Sequence, residues 1–188
     1  NKIIGYTTRN SSGVPDNFKN YFVLIFDKPF ETKYTWNGNG LVKDQLEMKA
    51  DHSGAVVGFK TNKGEKVNVR VASSFISFEQ AEQNLKAELK NAPFEKVVAE
   101  SKAVWNTTLG KVKAEGGSEE QINTFYSCLY RTVCFPQKLY EVDSKGKIVH
   151  YSPYNGKVLD GYMYGGTGFW DTFRALYPLL NLVYPSIN

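Results

Sequence analysis

The chain has 188 residues, of which 41 % are hydrophobic and 14 % aromatic, and it carries a formal net charge of +4. This composition supports a packed core of one large or two small domains and excludes a disordered chain. The 23 basic residues are dispersed, which favours a solvated surface over a nucleic-acid interface. No run of 18 apolar residues is present, so we expect no membrane span. Cysteines and histidines lack metal-ligand spacing, so we predict no zinc site within the chain.

The first part of the sequence predicts β-strands. Tyr21–Phe26 is a short apolar run, and Val67, Val69 and Val71 alternate with other residues as in a half-buried strand. A turn at 62–64 suggests a hairpin between this strand and the run at 55–59. Several short strands with turns between them are typical of a β-sandwich, so we predict residues 3 to 76 to be mostly strand.

The hydrophobic spacing becomes helical after residue 76. Ser77 followed by Gln80 is a capping box, in which the serine accepts a backbone N–H and the glutamine side chain bonds back to the helix start. Apolar residues at helical spacing follow. Pro93 fits the first position of a second helix.

A second capping box, Ser118 followed by Gln121, begins a helix that we predict over 118–134. Cys128 and Cys134 lie on this helix. The intervening six residues turn an α-helix through about 600°, a net rotation of about 240°. The two thiols therefore face different sides, and we expect no disulfide between them.

Residues 137–168 form a long polar stretch with several tyrosines and a glycine run at 165–168. A loop this long inside a domain is usually functional or disordered, and the tyrosines argue against disorder. The stretch leads into Phe169–Tyr177, which we predict to be a helix that is bent or ended near Pro178.

Trp170, Asp171 and Arg174 place an aromatic ring, a carboxylate and a guanidinium together just after this loop. Sugars present apolar C–H faces and many hydroxyls, so this set suits a sugar ligand. The preceding glycines would let the backbone approach that ligand closely. A structural role also fits, with Trp170 and Phe173 in the core and Asp171 as a helix N-terminal charge. The pattern alone leaves both interpretations open.

A further argument comes from Tyr21–Phe30, Val71–Ser77, Ala81–Leu85, Phe125–Thr132 with Pro136, Asp160–Tyr162 and Gly168–Leu179. In this order they resemble glycoside hydrolase family 92, the calcium-dependent, exo-acting α-mannosidases. The similarity runs over nearly the whole chain, and the tryptophan–aspartate segment is its most specific part. Two residues depart from the family pattern: Arg131 stands where histidine is usual, and Phe169 where leucine is common.

The resemblance implies an α+β chain in three parts. Residues 1–76 would be part of an N-terminal β-sandwich, 77–116 a helical linker, and 117–188 the first helices of an (α/α)6 barrel. It also implies an inverting, calcium-dependent enzyme that removes terminal α-mannose from glycans. Inversion uses two carboxyl groups about 6.5–9.5 Å apart. We expect these carboxylates and the calcium ligands beyond residue 188. We therefore assign no catalytic or metal residue and expect the chain alone to be inactive.

By the same resemblance, Trp170, Asp171 and Arg174 belong to the pocket that holds the terminal mannose. Asp171 would accept hydrogen bonds from sugar hydroxyls, Trp170 would form a wall of the pocket, and Arg174 would orient Asp171. The family is largely bacterial and exported, which implies a periplasmic or extracellular location.

Two alternatives remain beside the enzyme. One is a non-catalytic carbohydrate-binding β-sandwich module with a helical tail, and the other is a purely structural fragment. A reading frame that continues past Asn188 with further helical pairs and acidic residues would favour the enzyme, and an early stop would favour the module.

Overall fold

The structure, a computed structural model, describes residues 1–186, except for the side chain of Asp171. Residues 1–76 contain six strands and no helix, as the short apolar runs predict. Loops take up more than half of this region, so the prediction that it is mostly strand is wrong in extent. The strands are β1 (Lys2–Thr7), β2 (Asn20–Phe26), β3 (Thr32–Asn37), β4 (Gly40–Lys43), β5 (Gly54–Gly58) and β6 (Val69–Ser74).

These strands form two antiparallel sheets, ordered β1-β2-β6 and β4-β3-β5. In the first sheet the central strand pairs Val23 with Ile4 on one side and with Ala72 on the other. The predicted hairpin between 55–59 and 67–71 is wrong, because β5 pairs with β3 and β6 pairs with β2. Alternation along a strand shows which residues share a face, but it does not identify the neighbouring strand.

Three helices follow, close to where the capping signals predict them: α1 (Phe78–Leu89), α2 (Phe94–Leu109) and α3 (Glu119–Thr132). Ser118 and Gln121 form the complete capping box at α3. At α1, Ser77 accepts the backbone N–H of Gln80. The side chain of Gln80 turns away instead and donates to Val142. The first predicted box is therefore only half formed, because a more distant partner takes its glutamine.

Residues 137–165 are not a loop without regular structure, contrary to the sequence-based prediction. They contain β7 (Gln137–Lys138), β8 (Glu141–Val142), β9 (Ile148–Tyr151), β10 (Val158–Asp160) and β11 (Tyr164–Gly165). β10, β9 and β8 form a three-stranded sheet, and β11 pairs with β7. Strands of two to four residues are too short to show a hydrophobic period, so the glycines and polar residues dominate the sequence pattern.

The chain ends in two short helices, α4 (Phe169–Thr172) and α5 (Leu176–Val183). The prediction of one helix bent or ended near Pro178 is wrong, because the break lies before the proline. Pro178 lies in the first turn of α5, where no intrahelical partner is lost through its missing N–H. The helical path is interrupted earlier, at Ala175, whose φ and ψ are −128° and −51°.

Two apolar clusters hold the helices. In the first, α1 buries Ala81 and Leu85 against Val23 of the central strand β2. In the second, α3 and α5 pack together, and the hydroxyl of Tyr184 donates to the carbonyl oxygen of Thr108 at 2.9 Å. The members of the second cluster are Leu129, Leu180 and Tyr184, with Leu109, Val112, Tyr126, Val133, Leu176 and Val183 against them.

A polar seam fixes the β8–β9–β10 sheet to α1 and to the end of β6. We define it by Glu141, whose carboxylate accepts from the Phe75 backbone N–H at 3.0 Å and from Asn84 at 2.7 Å. The carbonyl oxygen of Val142 accepts from Gln80 at 2.8 Å. Both carboxylate oxygens of Glu141 are thus used by partners far away in sequence. The seam orients the segment that leads toward α4.

The α+β fold agrees with the sequence-based prediction. Cys128 and Cys134 are both free thiols, as predicted, although Cys134 lies two residues beyond the end of α3 and not on the helix. Among the described residues, no helix is both long and apolar enough to cross a membrane. The division of the chain at 76 and 116 stays a prediction.

Candidate functional site

A two-stranded ribbon leads into the segment that the sequence predicts to bind a sugar. β7 and β11 pair Lys138 with Tyr164, and the backbone N–H of Leu139 donates to Met163 at 2.9 Å. The pairing of the ribbon therefore extends at least one residue beyond the two-residue strands β7 and β11. It holds residues 162–165 against 137–140, directly before the glycine run.

The glycines at 165 and 166 pack closely against other residues of the chain, whereas the sequence-based prediction explained them by the approach of a ligand. A Cβ added at Gly165 would lie 2.7 Å from the Leu139 side chain, and Gly166 has a φ of +86° with the Phe135 ring 2.9 Å from its Cβ position. The left-handed backbone favours glycine at position 166, and at position 165 a larger residue would displace the end of the Leu139 side chain. Within the chain, these glycines let the backbone approach β7 and its flanks.

Hydrogen bonds through hydroxyls anchor α4. Thr172 is buried and its hydroxyl donates to the carbonyl oxygen of Gly168 at 2.7 Å. The hydroxyl of Tyr177 donates to Thr167 at 3.1 Å, and hydrogen bonding with the Thr167 and Thr172 hydroxyls lowers the pKa of Tyr177. The Thr172 hydroxyl thus bonds within its own helical turn, whereas the Thr167–Tyr177 bond ties the residue before the α4 N-cap to α5.

The outer side of α4 presents aromatic side chains to solvent. Trp170 is 82 % exposed, and the nearly parallel rings of Phe169 and Phe173 lie 6.4 Å apart. The guanidinium of Arg174 lies 5.5 Å from the centre of the Phe173 ring, in cation–π geometry. Trp170 is thus not a core residue of this chain. Its predicted contact with a sugar stays a prediction.

Asp171 falls outside the residues whose side chains the structure describes. The predicted grip of its carboxylate on sugar hydroxyls, and the predicted orientation of that carboxylate by Arg174, therefore stay predictions. Arg174 is exposed and has the Phe173 ring as a described neighbour, so its guanidinium is placed beside α4 by stacking.

Asp143, away from the aromatic segment, has structural partners. Asp143 accepts from the backbone N–H groups of Lys145 and Lys147, both at 2.8 Å, which lowers the pKa of its carboxyl. This carboxylate closes the tight turn between β8 and β9. Within the described part of the chain, no three residues of the types His, Cys, Asp and Glu are grouped so that they could hold a metal ion. The residues present therefore do not fit a calcium site, and we derive no step through this ion.

An open cavity of about 730 Å³ lies along the outer face of α3, away from the aromatic segment in sequence. Its lining comes from one helix and the serine that caps it, including Glu120, Asn123, Ser127 and Arg131. A single helix face encloses little, so this cavity is a weaker candidate than the ribbon and α4.

Sequence reasoning missed two features that frame the candidate segment. The seam through Glu141 had no signal in sequence, because its partners lie 57 and 66 residues away. Tyr140 packs against Tyr162 and Tyr164, with ring centres 4.9 and 5.5 Å apart. The two-residue spacing of Tyr162 and Tyr164 was a visible strand signal.

Two family models match the chain. The N-terminal domain of glycosyl hydrolase family 92 matches residues 1–74, and the catalytic domain of the same family matches residues 80–188. The family GH92 inverting mannosidase of Bacteroides thetaiotaomicron VPI-5482 is 49 % identical in sequence with a TM-score of 0.95. That match covers 99 % of this chain and 25 % of the mannosidase.

More distant relatives share the fold or part of the sequence. A second family GH92 α-mannosidase of Bacteroides thetaiotaomicron superposes with a TM-score of 0.75 at 24 % identity, over 93 % of this chain and 24 % of that one. A protein of Arthroderma benhamiae described as an uncharacterized secreted glycosidase is 35 % identical over 81 residues, 41 % of this chain and 10 % of that protein. The chain thus spans a quarter or less of each relative.

Proposed function

This chain belongs to glycosyl hydrolase family 92, and on that premise we propose that it forms part of a glycosidase that removes terminal α-mannose from glycans with inversion. The observation that carries the proposal is the 49 % identity with an inverting mannosidase over 99 % of the chain. Because the chain spans only 25 % of that relative, the activity is proposed for a longer protein. This chain would supply part of its N-terminal domain and the beginning of its catalytic domain.

The proposed contribution of this chain to catalysis is binding. Trp170 would form a wall against the C–H face of the terminal mannose, and the Asp171 carboxylate would accept from two of its hydroxyls. The support for Trp170 is its exposure on α4, whose start is tied to α5 by the hydrogen bond between Thr167 and Tyr177. Arg174 would act on the sugar only indirectly, by orienting Asp171.

The reacting carboxyl groups would come from elsewhere in the longer protein. An inverting glycosidase needs a general acid and a general base about 6.5–9.5 Å apart, with a water molecule between the base and the sugar. We assign neither role to a residue of this chain. Calcium, which the family implies, would be held by ligands outside the residues described here.

The first experiment compares the longer protein with this chain alone. We expect the longer protein to release mannose from α-mannosides, with β-mannose as the first product by ¹H NMR, and to lose activity with a calcium chelator. We expect no release by residues 1–188 alone. Mannose release by the isolated chain would contradict the proposed division of labour, and sugar binding without hydrolysis by the longer protein would favour the module.

The second experiment tests the proposed grip of Asp171. In the longer protein, Asp171→Asn should lower kcat/KM on an α-mannoside by roughly 10- to 1,000-fold, because one or two charge-assisted hydrogen bonds are weakened. Asp51→Asn, the same change at an exposed bend, is the matched control and should leave kcat/KM unchanged. Wild-type kinetics with a slightly shifted melting temperature would show instead that Asp171 serves as a helix N-terminal residue.

We also propose that the longer protein is exported, to the periplasm or the cell exterior. The support is the relative described as a secreted glycosidase. Activity found only in the cytoplasmic fraction of the source cells would contradict this location.

A further inference from the structure

Three tyrosines lie on one face of the β7–β11 ribbon. Tyr164 is opposite Lys138, and the hydrogen bond from Leu139 to Met163 extends that register by one pair. Tyr162 is then opposite Tyr140, and side chains two residues apart on a strand share a face. We call this set of Tyr140, Tyr162 and Tyr164 the tyrosine face.

The rings of the tyrosine face form one cluster with fixed geometry. Tyr140 meets Tyr162 and Tyr164 edge-on, at interplanar angles of 86° and 72°. The rings of Tyr162 and Tyr164 are nearly parallel, at 15°. A hydrogen bond between the Tyr140 and Tyr164 side chains raises the pKa of Tyr164. These contacts restrict the rings before any ligand arrives.

Along residues 162–165 the large aromatic side chains are the exposed ones, whereas in a strand of the core they would be buried. Tyr162 and Tyr164 are 63 % and 46 % exposed, whereas Met163 and Gly165 between and after them are half-buried. The ribbon therefore turns its aromatic side to solvent and its aliphatic side inward. An ordered, contiguous aromatic surface rimmed by polar groups marks a binding site more often than scattered single residues do.

We propose that the tyrosine face binds a second sugar ring of the glycan, beyond the terminal mannose. This inference rests on the proposed function and extends it to the part of the substrate that remains after cleavage. Phenol rings offer stacking surfaces for C–H faces, and their hydroxyls both donate and accept hydrogen bonds. Lys138, on the same face of the ribbon, adds a donor for sugar oxygens.

The position of the tyrosine face in the chain favours a glycan as its ligand. Tyr164 precedes Trp170 by six residues, which fixes an upper limit of about 20–22 Å between their Cα atoms. The connection is further constrained, because Thr167 and Gly168 are hydrogen-bonded to Tyr177 and Thr172. This upper limit is compatible with one oligosaccharide that contacts both the Trp170 segment and the tyrosine face.

The test uses Tyr162→Ala and Tyr164→Ala in the longer protein, with two substrates. One is an aryl α-mannoside, which has a single sugar, and the other is an α-linked mannotriose that the wild type hydrolyses. We expect the ratio of kcat/KM for the mannotriose to that for the aryl mannoside to fall about 3- to 10-fold in each variant, as for the loss of one stacking contact. Tyr162→Phe keeps the ring and should keep most of the ratio.

Tyr154→Ala provides the matched control. Tyr154 is 88 % exposed on the turn between β9 and β10, outside the tyrosine face, so its loss should leave the substrate ratio unchanged. If Tyr162→Ala and Tyr164→Ala lower kcat/KM equally for both substrates, or lower the melting temperature with an unchanged ratio, the face packs against another part of the protein and the inference is overturned. A wild-type protein without activity on either substrate would overturn the proposed function and the inference together. An active wild type with an unchanged substrate ratio in the variants would overturn the inference alone.

Discussion

Two consecutive helices of this chain have similar apolar patterns and opposite environments. α1 buries Gln80, Ala81 and Leu85, whereas none of the residues of α2 is buried. On α2, Phe94 is 68 % exposed and Val104 is 64 % exposed. The difference does not lie in the helices themselves, since both have an apolar side at helical spacing.

The difference lies in what each helix finds nearby. α1 comes directly after β6 and folds back on the sheet to which β6 belongs, so its apolar side meets Val23 and Ala72. α2 has a ring contact between Trp105 and Tyr130 of α3, with centres 4.6 Å apart, but no sheet beneath it. An amphipathic pattern thus predicts that a helix has a side to bury, and the chain before or after it decides whether that side is covered.

The largest expected effect comes from the covered helix. Leu85→Ala should lower the free energy of unfolding by about 2–5 kcal/mol, because it leaves a cavity in the α1–sheet cluster. Val104→Ala removes two methyl groups from the exposed side of α2 and should change it by less than about 0.5 kcal/mol. Urea unfolding of both variants measures the contrast. Equal losses would mean that α2 is as well packed as α1.

The seam through Glu141 should have the next largest effect. Glu141→Gln replaces one acceptor oxygen by an amide donor that faces the N–H of Phe75 or the amide of Asn84, so a bond is lost at a cost of about 1–3 kcal/mol. Glu115→Gln is the control, since Glu115 is exposed. Urea unfolding measures both, and protection of the Phe75 amide from hydrogen exchange reports on the seam itself. An unchanged protection factor would contradict the assignment of this bond.

The N-terminal caps of α1 and α3 also differ, because the glutamine bonds locally at α3 and to a distant residue at α1. Ser118→Ala removes the hydroxyl that accepts the Gln121 N–H and should cost about 0.5–2 kcal/mol, whereas Ser118→Asn should restore most of the loss. Gln121→Ala should lower the stability of α3 only, because its side chain accepts from the Ser118 backbone N–H. Gln80→Ala should instead weaken the seam, since its amide donates to Val142. Amide exchange in α3 and around residue 142 distinguishes these outcomes.

A small effect of pH is expected at the turn between β8 and β9. Backbone N–H groups hold the pKa of Asp143 below its ordinary value of 3.8. A carboxyl with a lowered pKa in the folded state adds stability above the unfolded pKa, and this contribution is lost as the pH falls through the folded pKa. Asp143→Asn should therefore flatten the fall of the urea midpoint below about pH 4. A profile identical to that of the wild type would remove Asp143 from this role.

The sequence predicts this fold best where the signals are local. The start of α3 follows from Ser118 and Gln121, which are three residues apart and bond to each other. By contrast, β6 pairs with β2, more than forty residues before it, and the strands of 137–165 are too short for any period. The half-formed box at α1 shows the same limit, because its glutamine is taken by a residue 62 positions away.

The candidate site divides along similar lines. The residue types of Trp170, Asp171 and Arg174 suit a sugar ligand, and the family resemblance favours that interpretation, which stays a prediction, over a core role. The tyrosine face is only partly visible in sequence: the spacing of Tyr162 and Tyr164 predicts a shared face, but Tyr140 joins them only because β7 pairs with β11. Side chains brought together by strand pairing require the pairing to be known.

The seam also sets an order of events during protein synthesis. The β1–β2–β6 ladder is complete once Ser74 has left the ribosome, and α1 can then cover it. Phe75, by contrast, must wait for Glu141, 66 residues later in the chain. The end of the N-terminal sheet is therefore closed by a residue of the following domain. Because domains are made from the N-terminus onward, a nascent chain that stops before residue 141 would expose unpaired polar groups at this junction, where a chaperone or protease could recognise it.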